Sequence, residues 1–489
     1  MNIALALAMA SDAHGDRTAV VDHRRSLTYA QLQKVARTVA ARLPEDAGAL
    51  VSAGAYGTAA ATCLFGAAWA GRSFAPVNHR LPADQLTGLA RRLAPAQGVA
   101  DHLHVEPLRR ALPGTWATDD LFTGTYRQAA AYVEDPALPA VLLYTSGTSA
   151  APKAAVVDHG NLFAYLVNTV EFGSAGADEA VLVAVPPFHI AGVTAVLSAV
   201  WTGRRIVALD AFSPTAWLET VRAESVTHAF VVPTMLARIV DAIAAGHPAE
   251  VPSLRSLAYG GARMPTPVLE RALDLFPQVG FVNAYGLTET SSTIAVLGPD
   301  EHRARSRLAS VGRPVPGVEV EIVDDADVPA PPGATGRVRI RGAQVSGRYL
   351  DDGDGDGPAT GGWLTTGDIG WFDADGYLYI GGRSDDVVIR GGENIAPAEI
   401  EDALLRHPSV AQAAVVGVAH PEWGEQIAAA VVLHRDADPP ATDDLRQHVR
   451  QLLGSLKCPD VVAVVDDLPT TATGKVVRRE LRRALTGQS

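Results

Sequence analysis

Cysteine is scarce in this chain: Cys63 and Cys458 are the only two among 489 residues. Two thiols cannot build a disulfide scaffold or a four-thiolate zinc site, and they fit a reduced, cytoplasmic setting. An excess of basic charge is missing too. Lys and Arg number 41 against 54 Asp and Glu, a net charge of −13, which argues against a nucleic-acid groove and leaves no nucleic-acid partner expected. No helical HExxH and no paired CxxC accompanies His102 and His104, so these histidines read as solvated surface. The apolar segment 3–10 lacks the basic residues that precede a signal-peptide core, and it reads as a surface helix. Residues 48–71 contain no Asp, Glu, Lys, Arg or His over a length that could span a bilayer. Gly54 and Gly57 interrupt them and small side chains dominate, so a buried strand and helix are expected, and no membrane span.

What is present is a globular balance, 47% apolar and 19% charged, which excludes disorder. The length calls for two or more domains. Leu32, Val35, Ala36, Val39, Ala40 and Leu43 recur at three and four residues, predicting a core-facing helix over 29–43. Thr28 and Gln31 form a capping-box pattern at its start. Apolar β-rich runs at 140–144, 180–185, 205–208 and 228–232 alternate with helical patterns at 160–170, 191–201, 214–223 and 234–245. Such alternation predicts parallel sheets covered by helices. Past residue 310 short strands follow, at 318–323 and 336–340, then a polar, glycine-rich stretch over 351–362. From Asp385 a smaller unit begins, with strands near 387–389, 412–418, 427–433 and 461–465 and helices near 397–406 and 442–454. The expected fold is therefore α/β: a large N-terminal domain (1–384) of parallel and mixed sheets covered by helices, and a small α+β C-terminal domain (385–489).

Some segments only imitate a site. Asp352, Asp354, Asp356 and Gly357 copy the start of a calcium loop, but Trp363 occupies the twelfth position, where that loop needs a bidentate Glu. A solvated loop is expected there. The sharpest chemical signal is Tyr144-Thr145-Ser146-Gly147-Thr148-Ser149-Ala150-Ala151-Pro152-Lys153, directly after the apolar run Val141-Leu142-Leu143. Small residues let backbone N–H groups approach an anion, hydroxyls add donors, and Lys153 adds charge. This is a phosphate loop in character but not a Walker A loop, because Pro152 breaks that pattern. Asn283-Ala284-Tyr285-Gly286-Leu287-Thr288-Glu289-Thr290 gathers a ring, a hydroxyl and a carboxylate. Thr365-Thr366-Gly367-Asp368 sets a carboxylate beside a tight turn. Gly381-Gly382-Arg383-Ser384-Asp385-Asp386 leads into Arg390-Gly391-Gly392-Glu393-Asn394. Finally, Thr473-Gly474-Lys475 places a lysine on a glycine turn.

In order and spacing, from about residue 14 to 485, these motifs resemble the acyl-activating, adenylate-forming superfamily of acyl-CoA synthetases, peptide-synthetase adenylation domains and luciferases. The resemblance implies a carboxylate attacking the α-phosphate of ATP to release pyrophosphate, then a thiol displacing AMP. Cations and N–H donors supply most of the catalysis of the first step. Carried over, Thr145, Ser146, Gly147, Thr148 and Lys153 would cradle the β- and γ-phosphates. Tyr285 would pack on adenine beside Gly260, Gly261 and Ala262, with Asn283, Ala284 and Gly286 around it. Thr288 would touch the α-phosphate and Glu289 would hold Mg²⁺. Asp368 would accept both ribose hydroxyls, helped by Arg383. Lys475 would reach the α-phosphate from the small domain. That domain would be mobile and swing about Asp385 between the half-reactions. Ala150 stands where the family's phosphate loop carries a second glycine, which implies a stiffer loop.

The branch of the family follows from the same comparison. Pro186-Pro187-Phe188-His189-Ile190-Ala191-Gly192 resembles the segment carrying the gating aromatic, here His189. Amino-acid-activating relatives place an Asp at that position to pair the substrate ammonium, so amino acids are disfavoured. Gly391, Gly392 and Glu393 resemble the CoA-ligase loop past which the pantetheine arm runs, and Lys457 matches a basic position of CoA ligases. The acyl pocket would draw on His189, Ala191, Gly192, Thr194, Val232, Met235 and Ala284. Its segments hold no Lys or Arg, and Ala284 stands where malonate-activating relatives have Arg, so a neutral apolar or aromatic acid is expected. The implied activity is an AMP-forming acyl-CoA synthetase using ATP, Mg²⁺ and CoA. The alternatives are a stand-alone enzyme loading a carrier-protein thiol, or adenylation of an unusual oxyacid without CoA transfer.

Overall fold

Small apolar side chains let the helix Gly57–Trp69 sink whole between two sheets. Thr58 to Trp69 are all buried, and the helix touches strands of both sheets. Gly66 is what permits the closest crossing, since a Cβ there would lie 2.7 Å from Val39 Cγ1 on the helix Tyr29–Arg42. That second helix begins at the expected capping box: Gln31 N–H donates to Thr28 Oγ1 and Thr28 N–H to Gln31 Oε1. The computed structural model describes residues 1–124, 128–129, 131–145, 152–350, 359–360, 362–391, 393–434, 437–470 and 476–486.

The larger sheet has 14 strands. Its parallel part runs Thr18–Val21, Arg205–Ala208, Ala180–Val183, His228–Val231, Ser256–Gly260 and Gly280–Leu287. At Ser292–Leu297 the pairing turns antiparallel and continues through Ser310–Pro314, Leu378–Arg383 and Trp363–Phe372. The second sheet has seven strands in the order Arg348–Tyr349, Lys153–Asp158, Pro139–Thr145, Ser73–Pro76, Ala49–Ala53, Ala96–Ala100, Trp116–Ala117. A third, 5-stranded sheet lies wholly after residue 387. Helices Pro397–Leu405 and Thr442–Leu453 cover one of its faces, through Ile400, Leu404, Leu445 and Val449 on Val415, Ile427 and Val431. Leu481 and Leu485 of Arg478–Thr486 cover the other, on Ala414, Val416 and Ala430. The alternation along these strands is the two-residue period of a sheet covered on both sides. The α/β fold, with a large N-terminal body and a small C-terminal unit, is as the sequence predicts.

One expectation fails. The helix Ala4–His14 is not a surface helix: Ile3, Ala4, Ala6, Leu7 and Ala10 are completely buried against the helices Tyr29–Arg42 and Ile190–Thr202. The segment is apolar on nearly every face, so its pattern does not show which side packs inward; Leu5, Ala8 and Met9, on the other side, are half-buried. The buried strand Ala49–Ala53 and helix Gly57–Trp69 do occupy residues 48–71 as predicted. Among the described residues no helix is long and apolar enough to cross a membrane. Cys63 and Cys458 are free and buried.

Candidate active site

Strand pairing brings the first group together. Asp368 and Arg383 are cross-strand partners on Trp363–Phe372 and Leu378–Arg383. Arg383 Nη1 donates to Asp368 Oδ1 at 3.2 Å and to the Thr366 carbonyl at 2.9 Å. Gly367, at φ +75°, turns the chain between them, and the Asp368 N–H is fixed on Thr366 Oγ1 at 3.0 Å. Tyr285 reaches across from Gly280–Leu287, and its hydroxyl donates to Asp368 Oδ2 at 2.5 Å. Burial, then the Asp368 charge, push the phenol well above its ordinary range, so Tyr285 remains a donor. Asp368 is 5% exposed. An ionised carboxylate has about four lone-pair sites, so two acceptor positions remain for a vicinal diol.

A second group surrounds Glu289. Tyr349 O–H donates to Glu289 Oε1 at 2.7 Å. The Lys153 ammonium lies 5.2 Å from the centre of the Tyr349 ring. Tyr349 pairs with Ala155 across the sheet, and Thr145 pairs with Lys153. Thr145 and Lys153 are thus the two stems of the hydroxyl-rich loop. Ser146, Gly147, Thr148 and Ala150 lie outside the described residues. Glu289 also bears on Arg383 electrostatically, which ties the two groups together.

The chain between the two groups is held in strained backbone. Ser291 and Ser292 have φ of 54° and 91°, which non-glycine residues adopt only where the surroundings impose it. Buried Gln344 imposes it here. Its Nε2 donates to the Thr293 carbonyl at 2.7 Å and the Thr290 carbonyl at 3.2 Å, while Ser291 Oγ donates to the Gln344 carbonyl at 2.8 Å. Gly286 has no room for a side chain, since a Cβ would sit 1.5 Å from the Ser292 carbonyl oxygen. Thr288 opens this turn and Glu289 sits inside it. Alongside, Gly260 pairs with Ala284, whose oxygen would lie 2.3 Å from a Cβ at Gly260. Gly261 has φ +81°, Ala262 follows it on the exposed surface, and Asn283 Nδ2 donates to the Ser310 carbonyl at 3.4 Å.

The acyl-side residues are less uniform. His189 caps the helix Ile190–Thr202, with Ala191 in its first turn. Burial lowers the imidazole pKa to about 4, so the ring is neutral at pH 7. Val232 approaches Gly261, with 3.7 Å between its Cγ1 and a Cβ built there, and Met235 is half-buried. Two more of the expected residues are tightly packed. A Cβ on Gly192 would strike the Pro186 carbonyl oxygen at 2.3 Å, and the buried Thr194 hydroxyl donates to the Ile190 carbonyl at 3.0 Å. His104 also departs from expectation. It is half-buried, with Nδ1 2.7 Å from Asp101 Oδ1 and its ring on His79, whereas His102 is exposed as predicted. No cluster of three His, Cys, Asp or Glu suited to a metal occurs among the described residues. A single carboxylate at Glu289 fits Mg²⁺, which takes one or two carboxylates together with substrate phosphates.

In the C-terminal unit, Gly391 at φ +58° donates its N–H to the Trp423 carbonyl at 2.8 Å. Glu393 is exposed beside it, and Gly392 lies outside the described residues. Arg390 ties this loop to the 456–460 segment through Asp460 at 2.8 Å, while Lys457 pairs with Glu399. Asp385 lies in the short turn Ser384–Asp386. Lys475 is outside the described residues; its loop is flanked by a bridge between Thr470 and Val476. The two units meet through Asp402, which accepts from Arg263 Nη1 at 3.1 Å and Thr266 Oγ1 at 3.0 Å. Tyr349, Gln344, Arg263 and Asp402 escape sequence reading, because each acts on a residue distant in the chain and carries no local pattern.

Residues 7–350 match the family described as AMP-binding enzyme, and residues 399–475 match its C-terminal domain. The chain is 35% identical over 488 residues to a feruloyl-CoA synthase of Amycolatopsis sp., covering 95% of each. It is 32% identical over 498 residues to a fatty acid–[acyl-carrier-protein] ligase of Streptomyces coeruleorubidus, covering 96% of this chain and 94% of the ligase. Among solved structures, the o-succinylbenzoate CoA synthetase of Bacillus subtilis with its acyl-adenylate superposes with a TM-score of 0.85 at 27% identity, covering 98% of this chain and 97% of that one. The same synthetase has been solved with ATP and magnesium ion.

Proposed function

The chain belongs to the AMP-binding enzyme family, and from that membership we propose that it activates a neutral apolar or aromatic acid and passes it to CoA. It is an AMP-forming acid–thiol ligase that uses ATP, Mg²⁺ and CoA. The acid's carboxylate attacks the α-phosphate, an O–P bond forms, and pyrophosphate leaves. The CoA thiol then attacks the acyl carbon, giving a thioester and AMP.

The observation that carries the assignment of the nucleotide site is the convergence of Asp368, Tyr285 and Arg383 beside Glu289, Tyr349 and Lys153. Asp368 receives the ribose hydroxyls. Tyr285 both orients that carboxylate and presents its ring to adenine beside Gly260 and Gly261. Thr145, Lys153 and the loop between them hold the outer phosphates. Thr288 and Lys475 meet the α-phosphate. Glu289 holds Mg²⁺, which when bound offsets phosphate charge. The two domains, 1–384 and 385–489, turn about Asp385, so that Lys475 serves adenylation and the Gly391-Gly392 loop serves thiolation. Neutrality of the acid rests on the pocket segments. No Lys or Arg belongs to them, and Arg263, just past Ala262, is committed to Asp402. A cytoplasmic location fits two buried free thiols.

Mass spectrometry with ferulate, benzoate, hexanoate and dodecanoate, each with ATP and Mg²⁺ and with or without CoA, tests the reading. A CoA thioester with one AMP per product is expected. Pyrophosphate release without thioester would exclude the CoA reading. Thioester formed only on an added acyl carrier protein would favour the second reading, which the carrier-protein ligase relative supports.

A further inference from the structure

Three parallel strands of the smaller sheet, Ala49–Ala53, Ser73–Pro76 and Ala96–Ala100, end side by side. Just past their carboxyl ends stand Tyr56, His79 and the pair Asp101–His104. Carboxyl ends of parallel strands are where such sheets present functional side chains. Tyr56 Oη lies 3.0 Å from His79 Nε2. The His79 ring meets His104 edge-on at 5.3 Å and Phe188 at 5.5 Å. Phe188 in turn lies 4.6 Å from the His189 ring. Asp101 anchors the far end, its Oδ1 accepting from the Leu103 and His104 N–H groups at 2.9 Å each. Gly54 makes room for that anchor, since a Cβ there would lie 2.1 Å from Asp101 Oδ2. No described residue hydrogen-bonds the buried His189 Nε2. Phe188 is the aromatic ring packed on the His189 imidazole.

We propose that Tyr56 and His79 are positioning residues, which set the orientation of the His189 imidazole by fixing Phe188 from behind. Side chains locked by packing and hydrogen bonds are what hold a functional ring in its productive geometry. The row conveys position and not charge. Burial holds both His79 and His189 down at about 4, so neither is an imidazolium at pH 7. Arg80 bears on Tyr56, His79 and His189 and favours the same neutral forms of the two histidines. The proposal rests on the reading that places His189 at the acyl site.

A double-mutant cycle tests it: His79→Ala, Tyr56→Phe and His189→Ala singly, and each of the first two combined with His189→Ala. Rates of pyrophosphate release are measured with the best-used acid among ferulate, benzoate, hexanoate and dodecanoate. His79→Ala is expected to lower kcat/KM for the acid about tenfold and Tyr56→Phe about threefold, the range for one neutral hydrogen bond, with KM for ATP unchanged. His79→Phe, which restores a ring against Phe188, should recover most of the loss. In the His189→Ala background neither change should cost anything further. Additive losses, or an equal rise in KM for ATP, would overturn the proposal. If His189→Ala itself leaves acid kinetics unaltered, the acyl-site reading of His189 fails instead. If His79→Ala does not fold, the Tyr56→Phe arm decides by the same criterion.

Discussion

Asp368 has a donor on each carboxylate oxygen, Tyr285 at 2.5 Å and Arg383 at 3.2 Å. The His189 imidazole, by contrast, leaves Nε2 without a hydrogen-bond partner among the described residues and rests on the Phe188 ring. The side proposed for the nucleotide is fixed by directional bonds and strained backbone around Gly286, Ser291 and Ser292. The side proposed for the acyl group is shaped by packing of rings and small side chains. Directional bonds suit a ligand that never changes, because a missing partner leaves a buried polar group unsatisfied. Packing suits a variable ligand, because a methylene more or less costs little discrimination. If this contrast is right, mutations on the two sides should separate cleanly in their kinetic signatures.

The largest expected effect belongs to Lys475, which the proposed function sets at the α-phosphate. Lys475→Ala should slow adenylation about 10²–10³-fold, as for loss of one preorganised donor. Thiolation of a supplied acyl-adenylate should be spared. Single-turnover assays of each half-reaction check this, and equal slowing of both would remove Lys475 from the adenylation step. Next comes Asp368→Ala. A hydrogen bond to a charged group contributes about 1.5–3 kcal/mol, so KM for ATP should rise on the order of ten- to a hundredfold with the ranking of acids preserved. An unchanged KM for ATP would take Asp368 out of the ribose site.

Ala284→Leu attacks the other side. Overpacking typically costs about 1–3 kcal/mol, so kcat/KM for the bulkiest acid accepted should fall about tenfold or more while KM for ATP stays constant. A specificity profile identical to wild type would show that the pocket lies elsewhere.

Stability against pH offers a smaller test of how dry the packed region is. His159 and His189 are both held near 4 by burial, below the ordinary 6.5. The unfolded chain therefore binds more protons than the folded one between these values. Stability should be complete above about pH 6.5 and fall as pH drops toward 4, on the order of 1 kcal/mol per pH unit for each ring. Calorimetry from pH 7 to 4.5 should show a falling melting temperature, which His189→Phe should partly flatten. The smallest effect is expected from Arg263→Ala, which leaves Asp402 held by Thr266 alone among the described residues. Arg263 is 36% exposed, and half-exposed ion pairs contribute at most about 1 kcal/mol. The ratio of the two half-reaction rates should shift by no more than about fivefold, with both KM values retained.

Elements with a strong local pattern are legible in the sequence. Tyr29–Arg42 and its capping box, and the strand Arg205–Ala208, stand where periodicity and β-branched runs put them. The helix Ala4–His14 reads as surface because a segment apolar on nearly all faces has no polar side to betray its orientation. Within the site, Asp368, Arg383 and Tyr285 are each visible as a charge or ring beside a glycine, and Glu289 as a carboxylate between two threonines. Their mutual contacts were not, since Tyr285 and Asp368 are 83 residues apart. Tyr349 carries no motif of its own; only the edge strand that pairs it with Ala155 delivers it to Glu289. His104 reads as solvated because the ring it meets, His79, follows a different strand of the sheet.

The central claim, that one site performs acid activation and thiol transfer in sequence, is tested most directly in a single turnover with enzyme in excess over ATP. With the best-used acid of the panel and no CoA, pyrophosphate and an enzyme-bound acyl-adenylate should form in equal amounts. Adding CoA should then convert that adenylate to the thioester and AMP without further ATP. An adenylate that persists after CoA is added, or a thioester that appears with no adenylate before it, would contradict the account.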